Sequence, residues 1–216
     1  MPLQNRVDPF GVIRAVPQRG LFTGNRGVIH DPETRMLLAR RWSTRAWIIC
    51  DCSYRGLKRQ VMGRNAASGG AGWTNLFFLD EVTALAAGHR PCFFCRRDKA
   101  LEFAGCFGIA FGAARPRAPE MDRRLHAERQ AAGAVAPILE LDAVASLPDG
   151  AMIGSGSEAF AVRDGKVLRW SFAGYSPAGR LREGTPPPVL LTPPATVAVL
   201  RAGYRPVWHG SAAAGA

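Results

Sequence analysis

Four of the five cysteines fall in two short pairs, Cys50-Asp51-Cys52 and Cys92-Phe93-Phe94-Cys95. Zinc takes four ligands at tetrahedral corners, with thiolates about 2.3 Å away. A two-residue gap in a tight turn lets both sulfurs reach one ion, so Cys92 and Cys95 meet that demand directly. In an extended strand alternate side chains point the same way, so Cys50 and Cys52 can join them where the strand bends. The expected site is Cys50, Cys52, Cys92 and Cys95 around Zn2+. If only one of the first pair binds, the fourth ligand comes from a histidine, with His89, His126 and His30 as candidates in that order. For His89 the competing reading is a ring packed at a helix end. Cys106, in an apolar stretch, reads as a small core residue.

Other uses of these cysteines fit less well. Their number is odd and Met1 to Gly11 has no apolar run of a secretory signal, so the chain reads as cytoplasmic and a disulfide framework as a poor explanation. A redox CxxC opens a helix after a strand, whereas Cys92 follows a helix stop and Arg90-Pro91. The longest apolar stretch, Phe103 to Ala114, is broken by glycines and too short to span a bilayer, so no membrane partner is expected.

Lysine and arginine total 28 against 17 acidic residues, and all but Lys58, Lys99 and Lys166 of the bases are arginine. A GC-rich genome favours arginine over lysine but does not explain the excess of base over acid. Such charge points to polyanions. Arg55, Lys58, Arg59, Arg64, Arg96 and Arg97 flank the cysteine pairs, available to phosphates, and Trp73 either stacks on a base or joins the core. The partner expected on these grounds is nucleic acid, most simply DNA. An enzyme reading rests on Asp122 and His126, four apart on one helix with Glu128 nearby, as a second metal or proton-transfer site. The alternative there is a salt-bridged solvent face. Gly-rich phosphate loop, nucleophile elbow and HExxH are all missing from the sequence.

The elements needed to position the cysteines can be read in outline. Residues 1 to 30 read as an irregular arm. Asp31-Pro32-Glu33 suggests a capped helix to about Ala39, and Ala46 to Cys50 a buried strand ending on the first cysteine. A strand over Leu57 to Met62 leads into a glycine-rich loop. Leu76 to Leu79 is a further strand, followed by a helix from Glu81 to Ala87 capped by Asp80 and stopped by Gly88. Asp98 is expected to cap a helix through Phe107, and Pro119 to Gln130 to form a charged helix. Beyond a soft boundary near residue 135, short strands dominate, with a hairpin of Ala159 to Arg163 and Lys166 to Ser171 around Asp164-Gly165. The fold class is α+β: an arm (1 to 30), a small zinc-stabilised α/β region (31 to 134) and a turn-rich β region (135 to 216). Residues 84 to 91 and 199 to 206 echo each other, each a helix end with a glycine stop before Arg-Pro.

The segment "FFLDEVTALAAGHRPCFFCRRD", Phe77 to Asp98, resembles the "FxxxxEAxAAGxRPCxRC" stretch of the zinc-binding N-terminal domain of bacterial Ada-type DNA alkylation-repair proteins, and Asp31-Pro32 echoes that family's "DPRW". The resemblance covers about residues 31 to 98. It implies a four-cysteine zinc site, DNA as partner and, at the position of Cys50, a thiolate that accepts a methyl group from a DNA phosphotriester. The chain departs from the family upstream, where the family's CxxxC is CxC here and the loop is longer. It also lacks the methyltransferase "PCHR" motif and the helix-turn-helix pair of complete Ada proteins. The reading that results is a structural zinc site beside a nucleic-acid-binding basic loop. A methyl-phosphotriester acceptor, a metal-dependent hydrolase or nuclease, and a protein-interaction scaffold are the alternatives.

Overall fold

The first thirty residues are not an irregular arm; they supply half of a six-stranded sheet. In a computed structural model, which describes residues 1–56, 59–114, 116–132, 137–178 and 186–213, this segment forms β1 (Arg6–Val7), β2 (Ile13–Arg14) and β3 (Phe22–Asn25). With β4 (Ile48–Asp51), β5 (Leu76–Phe78) and, after helix α1 (Glu81–Ala86), β6 (Arg90–Pro91), the order is β2-β1-β5-β3-β4-β6. All four residues of β3 are buried. Gly24 is what lets β3 lie so close to β4, because a Cβ there would fall 2.2 Å from the Ile48 carbonyl oxygen.

The helix expected after Asp31 does not form. The Asp31 carboxylate accepts the backbone N–H groups of Glu33 (3.0 Å) and Thr34 (2.9 Å), the usual first step of a helix cap. Arg35 then turns to φ +57°, and His30 pairs with Leu37 across the turn. The chain thus reverses where a helix would have continued. Met62, at φ +52°, lies in a buried turn where a strand was expected, while Leu57 and Lys58 lie outside the described residues.

The reading of α1 holds. Asp80 Oδ1 accepts the Thr83 N–H at 2.9 Å, and Gly88, at φ +81°, ends the helix. Its six residues are all buried because α1 is wedged between two cores. Ala84 and Leu85 join the larger core with Ile49, Leu76 and Phe78 of the sheet. Val82 and Ala86 face a second core with Met152, Ala161 and Leu168.

Helix α2 (Arg97–Phe111) runs farther than expected, to Gly112 at φ +67°, with Asp98 in its first turn. Helix α3 (Ala118–Ala132) carries the charged face. A short helix α4 (Leu141–Ala145) leads into the second sheet: β7 (Met152–Ser155), β8 (Glu158–Arg163), β9 (Lys166–Ser171), β10 (Gly174–Pro177) and β11 (Val189–Leu190). That sheet is antiparallel in the order β10-β9-β8-β7-β11. Its hairpin turn has Asp164 and Gly165 both at positive φ, as a two-residue turn of that hand requires.

Packing crosses the connection near residue 135. Helix α5 (Pro194–Arg201) lies on α2, and Val199, Leu200 and Tyr204 belong to the same core as Phe103, Phe107 and Leu125. The echoed segments end alike: Gly203 and Tyr204 close α5 on Leu200 and Val199 as Gly88 and His89 close α1 on Leu85 and Ala84. Among the described residues no helix is long and apolar enough to cross a membrane.

Candidate metal centre and its surroundings

Strand register builds the cysteine site. β4 and β6 run parallel, with Ile48 opposite Arg90 and Ile49 opposite Pro91, so the next residues, Cys50 and Cys92, emerge side by side. The Cys92 N–H donates to the Ile49 carbonyl at 2.9 Å and fixes this alignment. The chain then turns through Phe93 and Phe94, and the Arg96 N–H donates back to the Cys92 carbonyl at 3.0 Å, which returns Cys95 to the same place. The Sγ atoms of Cys50, Cys92 and Cys95 all lie within 4.8 Å of one another, close enough to hold a metal ion together. Ligands about 2.3 Å from a tetrahedral zinc would be roughly 3.8 Å apart, so little movement is needed to close on one.

Cys52 does not join this group. β4 ends at Asp51, so the alternation that would have aimed Cys52 with Cys50 stops one residue early. Cys52 is exposed, and its thiol is directed at the Leu21 carbonyl, 3.4 Å away. The histidines stand elsewhere. His89 is fully buried, with Nε2 accepting from Arg26 Nε at 3.3 Å and its ring against Trp47 and Phe78. His30 Nδ1 is 2.7 Å from the Thr74 hydroxyl, and His126 packs edge-on to Trp42.

The three thiols bias one another. Hydrogen bonds from Cys50 and then Cys95 pull Cys92 strongly down, toward thiolate, and the Phe94 N–H also donates to its sulfur at 3.4 Å. Hydrogen bonding to Cys92 and to Cys95, with burial, pushes Cys50 far up. For Cys95 the bond from Cys50 lowers, but Cys92 and burial outweigh it and the thiol is raised. A cation bound by the three sulfurs would release the protons they carry.

The triad opens on a cavity of about 340 Å³, walled by Tyr54, Arg59, Trp73, Asn75 and Phe94 as well as the cysteines. Phe94 is 66 % exposed. The Arg59 guanidinium sits 4.9 Å from the Trp73 ring centroid, and that of Arg55 5.2 Å from the Tyr54 ring. The indole N–H of Trp73 is buried without a partner.

The basic residues divide. Arg55, Arg59 and Arg97 are exposed. Arg64 is exposed but paired with Glu33. Lys58 lies outside the described residues. Arg96 is not a surface residue: it is buried, bound by two hydrogen bonds to the fully buried Glu81, and lies 3.4 Å from Asp51. Position beside a cysteine signalled a phosphate contact, but nothing in the sequence pairs Arg96 with an acid fifteen residues back.

The carboxylates expected to stand with His126 have other partners. Both Asp122 oxygens accept from Arg90, at 2.8 and 2.7 Å. Glu128 accepts the Ala195 N–H at 2.9 Å and faces Arg124. Compared with family models, with curated proteins and with solved structures, the chain matches none.

Proposed function

We propose that the chain is a zinc protein that binds nucleic acid, with Cys50, Cys92 and Cys95 holding the metal and the rim beside them meeting the polyanion. The observation that carries this reading is the juxtaposition of a three-sulfur cluster with a cavity lined by the exposed Arg59 and by aromatic rings. Soft sulfur ligands in this number suit zinc. Arg55 and Arg59 supply charge for phosphates, while Tyr54, Trp73 and Phe94 offer ring faces on which bases stack. The likeness of residues 77 to 98 to the Ada-type zinc domain supports the same reading, with DNA as partner. Binding is preferred to methyl acceptance because Cys50 is only 3 % exposed. It is preferred to hydrolysis because Asp122 is already held by Arg90.

Native mass spectrometry tests the first half, and one zinc per chain is the expected result. Fluorescence anisotropy with short duplex and single-stranded DNA tests the second. Absence of binding at about 50 mM salt, where phosphate contacts are strongest, would remove the nucleic-acid assignment.

A further inference from the structure

Away from the cysteines, two arginines share one aromatic ring, and neither is paired with an acid among the described residues. Arg26, just past β3, is 3 % exposed. Its Nε donates to His89 and its Nη1 to the Gly11 carbonyl at 3.0 Å, while Nη2 is buried with no partner. Arg129 of α3 donates from Nη1 to the Gly88 carbonyl and from Nη2 to the Arg45 carbonyl, both at 2.8 Å, and its Nε is buried without a partner. The two guanidinium carbons lie 4.1 and 4.2 Å from the Trp47 ring centroid.

Neither arginine makes an ion pair among the described residues. The nearest candidates are occupied: Asp8 by Arg14 and the Val12 N–H, Asp122 by Arg90, and Glu128 by the Ala195 N–H and Arg124. Burial, and then the charge of Arg129, pull Arg26 down to about 9, and burial pulls Arg129 to about 10, so both stay charged at neutral pH. A buried cation beside a half-buried one is costly, and an aromatic face and carbonyl oxygens offset only part of that cost. A fold that keeps them gains if an anion supplies the missing charge.

The space for one is present. Both arginines and Trp47 line a cavity of about 370 Å³ whose other wall is mostly apolar, formed by Phe10, Leu190 and Leu191; Glu128 also lines it, its carboxylate taken up by the Ala195 N–H and Arg124. That volume is in the range of small-molecule sites, which combine apolar walls with a few fixed polar groups. We propose that this cavity binds a small organic oxyanion, a phosphate or carboxylate on an apolar body, whose charge is met by Arg26 and Arg129 and whose body lies between Trp47 and Phe10. Guanidinium forks match either oxyanion. Gly88 belongs to the same device: at φ +81° it has no Cβ, which would otherwise meet the Arg129 side chain at 2.7 Å.

The test is isothermal titration of the full chain, at matched ionic strength, with phenyl phosphate, phenylacetate, inorganic phosphate and sodium chloride. Phenyl phosphate, phenylacetate or both are expected to bind at least tenfold more tightly than inorganic phosphate, and which of the two binds identifies the natural headgroup. Arg129→Gln is expected to weaken that binding tenfold or more. Should that variant fold poorly, Phe10→Glu, at a residue 39 % exposed, places a carboxylate on the rim and is expected to abolish binding. Equal binding by wild type and a folded Arg129→Gln or Phe10→Glu variant, no binding of either organic anion, or inorganic phosphate binding as tightly as phenyl phosphate would each overturn the proposal.

Discussion

The Arg96 guanidinium and the Glu81 carboxylate meet through two hydrogen bonds of 2.8 and 3.0 Å, both groups out of solvent. Arg96 follows Cys95 directly and also lies 3.4 Å from Asp51, the neighbour of Cys50. One side chain therefore braces both segments that carry the cysteine cluster and ties them to α1. Arg96→Ala leaves the Glu81 charge buried and without its main partner, and should cost about 3 to 5 kcal/mol. Thermal or urea denaturation checks the magnitude. Arg96→Lys should recover only part of it, because an ammonium cannot make the paired contact.

Metal retention should separate the cysteines. Cys50→Ser, Cys92→Ser and Cys95→Ser are each expected to lower zinc affinity by more than about 100-fold, beyond the ~10 to 100-fold typical of changes that only support a ligand. Cys52→Ser should stay within about tenfold, since its thiol faces Leu21. Competition with a chromophoric chelator measures all four. Because Cys50 and Cys95 are held as thiols by their neighbours, the affinity should fall as pH is lowered.

On the nucleic-acid side, three exposed arginines, Arg55, Arg59 and Arg97, are the expected phosphate contacts. Three contacts imply a fall of about 40-fold in duplex affinity between about 50 and 200 mM salt. Replacing Arg55 and Arg59 by Ser should remove about two units from the slope of log affinity against log salt, with little change in stability. Arg201→Ser, at an exposed site on α5, is the comparison that a purely compositional charge effect would render equivalent.

His89 should make the protein acid-labile. Burial, then the charges of Arg26 and Arg129, hold its pKa well below 6.5, so the folded ring stays neutral while the unfolded one protonates. The unfolded chain binds the extra proton, and stability is lost as pH falls below about 6.5. At about pH 5 this residue alone should account for roughly 2 kcal/mol. Urea midpoints of wild type and His89→Gln between about pH 5 and 7.5 measure it, and the variant should show the shallower pH dependence.

Much of the site is legible in the sequence. CxxC spacing marked Cys92 and Cys95, a buried strand ending on a cysteine marked Cys50, and Asp80 and Gly88 marked both ends of α1, because these signals act over four or five residues. Cys52 was misplaced because the point at which β4 stops depends on its neighbours and not on its own sequence. The Asp31 turn failed as a helix for a related reason: a carboxylate accepting two N–H groups begins either structure, and Arg35 decides between them. β1, β2 and β3 are too short to carry a period; β1 and β3 take their places from partners far along the chain, Phe77 for Arg6 and Ile49 for Gly24, and β2 only follows β1. Arg26 and Arg129 were invisible as a pair, since nothing local shows that two arginines will close on one tryptophan.

Glu81 also accepts the Tyr204 hydroxyl at 2.6 Å and the Val207 N–H at 2.9 Å, while Asp80 accepts the His209 N–H at 3.0 Å. The partner that steadies the cysteine cluster is thus itself completed by residues made more than a hundred positions after the last ligand. The three thiols leave the ribosome long before Tyr204 and Val207, so the brace beside the cluster is complete only when the end of the chain has been made. A stop codon placed just ahead of Tyr204 would spare all three cysteines and still leave Glu81 without two of its partners.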